Sequence, residues 1–149
     1  MGIERYVSDV KIIKNNQEVI FNYLSNFENL GRFINEGLLE KITQLVPQIR
    51  ISGFESDQDS CRFSLSGFGS GEIRIIERDP YKTIKILSSG SLPVGITLWI
   101  QLLQKEPALT NLRITLDADL NILLKTMIGN RLNEGVNSLA ELLANLPYN

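Results

Sequence analysis

MIGNRLNEGVN, residues 127–137, sits inside a run of helical periodicity, and its reading decides the fold. At about 100° per residue, Ile128, Leu132, Val136, Leu139, Leu143 and Leu146 fall on one apolar stripe. The final helix is therefore expected from roughly Asn121, its N-cap, to Leu146. Gly129 and Gly135 lie about 60° to either side of Leu132 by the same rotation. Alanine at either position would favour the helix by up to about 1 kcal/mol. A helix with glycine on both flanks of its buried stripe lets its backbone approach a neighbour, or leaves space beside it. A long helix across the concave face of a curved sheet presents both circumstances.

The chain upstream supplies a sheet. From Gln48 to Leu120 the hydrophobic period is two. QIRISGFESDQDS and CRFSLSGFGSG read as a hairpin about Asp57, Gln58 and Asp59, with Cys61, Phe63 and Leu65 on one face. GEIRIIERDPYKTIKILSSG reads as two strands about a turn at Asp79 and Pro80, with Ile84 and Ile86 inward. GITLWIQLLQ is apolar on both phases, and TNLRITLDADL alternates Leu112, Ile114, Leu116 and Ala118 against Arg113, Thr115, Asp117 and Asp119. Before these six strands, ERYVSDVKIIK sets Tyr6, Ser8, Val10 and Ile12 against Arg5, Val7, Asp9 and Lys11, a half-buried strand. NNQ at 15–17 caps a helix carrying Val19, Ile20, Tyr23, Leu24 and Phe27 on one face. A second helix follows ENLG, with Phe33, Ile34, Leu38, Leu39, Ile42 and Leu45 at helical spacing, and Pro47 stops it. The expected fold class is α+β: a seven-stranded antiparallel sheet, two short helices after strand 1, and a long C-terminal helix packed across the sheet.

Composition narrows the function. The 149 residues suit one domain, 1–149, and no repeat or linker divides them. A net charge of −2, with lysine and arginine dispersed, argues against a nucleic-acid surface. No segment approaches the roughly 18 apolar residues of a membrane span, so no integral membrane association is expected. MGIERYVSDV lacks an apolar signal stretch, and Tyr6 stands where a myristoylation signal has serine or threonine. A cytoplasmic protein is expected. With no histidine and the single Cys61, the usual zinc sets and histidine-assisted nucleophiles are excluded. No cofactor, metal site or catalytic residue is expected. Glu55, Asp57 and Asp59 form the one dense acidic group and would share a face if their strand ran straight. As a solvated turn they need no calcium.

The order strand, two helices, six strands and long helix resembles the helix-grip fold of START domains, the major birch pollen allergen and polyketide cyclases, the SRPBCC superfamily. The segments carrying the resemblance are VIFNYLSNFENL (19–30), GEIRIIERDPYKTIKI (71–86), LWIQL (98–102) and ADLNILLKTMIGNRLNEGVNSLAELLANLPY (118–148), in the manner of small bacterial members. The resemblance implies a cavity between the C-terminal helix and the sheet, holding an apolar or amphipathic, lipid-like small molecule. The lining expected on that basis comes from the second helix (Phe33, Ile34, Leu38), the inward strand phases (Phe54, Phe63, Leu65, Ile84, Ile86, Leu98, Ile100) and the last helix (Lys125, Ile128, Gly129, Leu132, Gly135, Val136).

Each of these positions also has a plainer reading. Phe33, Phe54, Phe63 and Phe68 are at core spacing, and the isoleucines are ordinary core. Lys125 lies about 20° from the centre of the apolar stripe. There it meets an acidic ligand group at the cavity mouth, or snorkels to water from the first helical turn, the reading its position favours. Arg32 and Glu36 make a solvated ion pair. Glu77, Arg78, Asp79, Tyr81 and Lys82 gather around a hairpin turn, and Cys61 on an apolar strand face is a buried, inert thiol. If Leu98, Ile100 and Leu102 face inward, Trp99 faces out beside Leu103 and marks a patch for a partner or homodimer. Three functions follow: noncatalytic binding or transport, a cyclase or hydratase using a buried carboxylate or tyrosine, and a solid-core interaction module anchored by Trp99. The state of the interior separates them.

Overall fold

The computed structural model describes residues 2–31, 51–65, 69–90, 95–120 and 122–148. The strands are β1 (Gly2–Val7), β2 (Lys11–Ile13), β3 (Ile51–Ser56), β4 (Ser60–Leu65), β5 (Gly69–Asp79), β6 (Thr83–Gly90), β7 (Gly95–Glu106) and β8 (Leu109–Leu120). Helices α1 (Gln17–Leu24) and α2 (Phe27–Gly31) follow β2, and α3 (Ile122–Ala144) follows β8. The strands form one antiparallel sheet in the order β1-β8-β7-β6-β5-β4-β3, with β2 also paired to β8. Every consecutive pair from β3 to β8 is a hairpin neighbour, as the period-two stretch requires.

The sheet has eight strands where the sequence reads seven, because the first strand is interrupted. At the break the Ser8 N–H donates to the Ile114 carbonyl at 2.8 Å, while the Ser8 hydroxyl oxygen accepts from the Ile114 N–H at 2.9 Å. A side chain thus stands in for a backbone acceptor, and the chain leaves the ladder until Lys11. The alternation inverts across this step. Ile13 is buried, while Val10 and Ile12 are exposed, so the single alternation expected through Ile12 holds only to Ser8. The Asp9 N–H then donates to Asn137 Oδ1 at 2.7 Å, tying the break to α3.

Asn16 caps α1, its side-chain oxygen accepting from the Val19 N–H at 2.8 Å, and Ile20, Phe21 and Leu24 form the buried face. The helix ends at Leu24 rather than continuing to Phe27. Arg78 donates from Nε and Nη2 to the Ser25 carbonyl at 3.1 and 2.8 Å, and from Nη2 to Asp59 Oδ1 at 2.6 Å. Phe27, itself buried, opens α2 and donates its N–H to the Gln58 carbonyl at 3.0 Å. The β3–β4 turn is thereby fastened to the α1–α2 junction. At the other end of α1, the Gln17 N–H donates to Gln104 Oε1 at 2.8 Å, which seats the helix on β7.

Register shifts in β3, β5 and β7 bend the sheet. Gly53 supplies the positive φ, 60°, that the β3 irregularity needs. On the concave side, Ile20, Phe21 and Leu24 of α1 meet Ile75, Ile84, Ile100, Leu112 and Ile114 of the sheet, closed by Ala140, Leu143 and Tyr148. Full burial of each such isoleucine or leucine contributes about 1.5–3 kcal/mol. The expected second helix, with Phe33, Ile34, Leu38, Leu39, Ile42 and Leu45, lies outside the described residues, as do Pro47, Phe68, Asn121 and the Arg32–Glu36 pair.

Candidate ligand-binding site

Two register rows carry the concave face from β5 to β1. One runs Ile75, Ile86, Leu98, Leu116, Tyr6. The neighbouring row places Cys61, Ile73 and Ser88 side by side, and Ile96, Ala118 and Glu4 side by side. The two parts are joined by the Ile96 N–H, which donates to the Ser88 hydroxyl oxygen at 2.8 Å. Helix α3 runs closest to β8, β1 and β2, so it crosses these rows at their Tyr6 and Glu4 ends.

Among the described residues the core falls into two clusters. The larger joins α1, the sheet centre and the C-terminal part of α3. The smaller consists of Ala118 and Leu120 with partly buried Tyr6, Ile96 and Leu132 packed on them. Leu116 and Val136 are buried along β8 and α3 between the two. The expected lining divides accordingly. Ile84, Ile86 and Ile100 sit in the closed core, while Phe54 and Leu98 pack on its edge half-buried. Phe63 is half-buried on the inner phase of β4. Leu132, Gly129 and Lys125 come together around the smaller cluster, and Gly135 is half-buried on α3. The side chains of Leu65 and Ile128, and all of Phe33, Ile34 and Leu38, lie outside the described residues.

The mouth beside α3 is polar. Lys125 Nζ lies 2.7 Å from Glu4 Oε1, and this hydrogen bond holds the lysine above its ordinary pKa. The Tyr6 hydroxyl lies 3.5 Å from where a Cβ on Gly129 would stand. Burial raises the Tyr6 pKa, with Glu4 adding to the rise and Lys125 opposing it. A Cβ at Gly129 would stand in ordinary contact with the tyrosine hydroxyl, so this position has room for a methyl group and for little more. Tyr6, Glu4 and Ile96 were absent from the expected lining. Tyr6 could have been found from the first strand's alternation, but Glu4 shares its phase and reads as a solvated charge. Ile96 starts a strand apolar on both phases, so period gave no side.

Elsewhere, the other expected chemistry is engaged by structure. The acids near the β3–β4 turn do not line one straight strand. Asp57 accepts from the Asp59 and Ser60 N–H groups at 2.9 and 2.8 Å and from Arg62 Nη1 at 3.1 Å, while Asp59 pairs with Arg78. Cys61 is buried, and desolvation, with Asp57 nearby, pushes its thiol up to about 12. Among the described residues the buried polar side chains are Ser8, Ser60, Thr110 and Thr115. Leu98, Ile100 and Leu102 do face inward, and Trp99 faces out, with Arg5 and Lys85 each 5.6 Å from its ring centroid. The outer face there carries an indole flanked by two cations, and Leu103, beyond Gln101 on the same face of β7, is exposed. No helix among the described residues is long and apolar enough to cross a membrane.

No family model matches the sequence, and no curated protein does. Solved structures match over nearly the whole chain. A protein of Thermus thermophilus is 15% identical with a TM-score of 0.61, covering 95% of this chain and 94% of that one. Norcoclaurine synthase from Thalictrum flavum is 10% identical at a TM-score of 0.59, over 96% of this chain and 85% of that one. Another structure of that synthase is a complex with dopamine and hydroxybenzaldehyde. The Aha1 dimer from Colwellia psychrerythraea, a solution structure, is 20% identical at a TM-score of 0.56, over 95% and 97%. Identities this low speak to architecture, and the strand order and the C-terminal helix agree with it: the chain has the helix-grip fold of these structures.

Proposed function

We propose that this chain binds an apolar or amphipathic, lipid-like small molecule between α3 and the concave face of the sheet, and carries or sequesters it without chemistry. The observation carrying this reading is the partial exposure of apolar inner-face residues. Phe63, Ile73, Ile96 and Leu98, with Leu132 opposite, stay half-buried, although Ile84, Ile100 and Ile114 nearby are sealed. Apolar surface turned inward and left incompletely covered is the usual lining of a small-molecule site, with a few polar groups at its mouth setting orientation. Glu4, Tyr6 and Lys125 have that position. The complex of norcoclaurine synthase with two aromatic compounds supports the reading, because that protein has the same fold.

Titration with a neutral apolar dye tests it. The native protein is expected to bind one equivalent, displaced by long-chain fatty acids or sterol-like compounds. Gly135→Leu, which projects a side chain into the space beside Leu132, should weaken the dye about tenfold if the variant stays folded. Native mass spectrometry of protein purified from its own host should show a copurified mass. A folded protein that binds no dye and carries no added mass would sink the proposal.

A further inference from the structure

Resting on the binding function proposed above, we infer that the ligand is an amphiphile with one carboxylate head, which replaces Glu4 on the Lys125 ammonium while its tail lies beside Leu132. The Lys125–Glu4 pair bridges α3 and β1, Nζ to Oε1 2.7 Å, with the two side chains 58% and 35% exposed. Water reaches both partners, so an incoming carboxylate can take the lysine without stranding a buried charge, and the displaced Glu4 turns to solvent.

The surface behind the pair is apolar at once. Tyr6, Ile96 and Leu132 pack on Ala118 and Leu120, which gives an alkyl tail a place to begin. One helical turn along α3 from Lys125, at Gly129, stands the Tyr6 hydroxyl. A tyrosine hydroxyl is protonated at neutral pH, and burial moves this one further in the same direction, so it remains a donor. A charged donor, a neutral donor and one displaceable carboxylate match a carboxylate head. An amine head would have to compete with the Lys125 ammonium for Glu4, whereas a carboxylate takes the ammonium and the Tyr6 donor together, and an alcohol gains no charge pairing.

Displacement of Nile red by decanoic acid, decanol and decylamine at neutral pH tests the assignment, with acetate as the head group alone. Decanoic acid is expected to displace the dye at about fivefold lower concentration than decanol, and acetate not to displace it. Lys125→Gln should abolish the acid's advantage over decanol. Glu4→Gln, which removes the competing carboxylate, should improve the acid about threefold. Equal displacement by acid and alcohol, an advantage that survives Lys125→Gln, or a preference for the amine overturns the carboxylate assignment while binding itself stands. Folded protein that takes up neither Nile red nor decanol overturns the binding function, and this inference with it.

Discussion

At Asp57 four hydrogen-bonding groups converge on one carboxylate: two backbone N–H groups, the Ser60 hydroxyl and the Arg62 guanidinium. They hold its pKa at about 2, below the ordinary 3.8. A carboxylate lowered in the folded state stabilises it fully above the ordinary value, and the contribution fades as pH falls from about 4 to about 2. Asp57→Ala is therefore expected to lower the melting temperature by about 3 °C at neutral pH. Thermal melts followed by circular dichroism should show the gap to wild type closing as the pH falls through that acid window. A gap that stays constant down to pH 2 would mean the turn owes nothing to the ionised side chain. The same residue shows what a lone sequence conceals. Three acids at alternate positions suggest one charged face, yet Asp57 spends its lone pairs on the turn and Asp59 turns to Arg78, a residue of another strand.

Helix α3 tests its own glycine. A Cβ on Gly129 would meet the Tyr6 hydroxyl at 3.5 Å and Lys125 Cγ at 3.7 Å, both ordinary contact distances. Gly129→Ala should therefore gain the helix propensity that glycine forgoes, about 0.5–1 kcal/mol in urea unfolding. Gly129→Leu should lose stability, because its longer side chain must push Tyr6 aside. Destabilisation by the alanine variant would show that the backbone approach is tighter than these distances. The stripe that includes Lys125 and Leu132 was legible because a helix repeats its face every few residues, and the hairpins were legible because β4 to β8 alternate between clear turns. The break at Ser8 was not. VSDVKII has apolar residues on both phases, and no period announces that a hydroxyl will replace a backbone acceptor. Nor could any local pattern bring Glu4 to Lys125, since that contact joins the first strand to the last helix.

For the molecule as a whole, the two clusters predict an uneven response to truncation. Ile114→Ala, in the large cluster and fully sealed, should cost about 2–5 kcal/mol of unfolding free energy. Leu132→Ala, half-buried in the small one, should cost less than half as much and act mainly on dye affinity. Chemical denaturation of both variants checks this, and equal losses would show one continuous core. The same division has a kinetic consequence. Ile122 and Leu123 at the start of α3 are 86% and 68% exposed, whereas Ala140 and Leu143 near its end are 0% and 2% exposed. Amide hydrogens along this single helix should exchange with solvent at graded rates, those before Leu132 by frequent local fraying and those after Val136 only with global unfolding. A guest would then enter through the fluctuating half of a helix whose other half never lets go, so uptake would proceed at the pace of fraying and leave the fold intact.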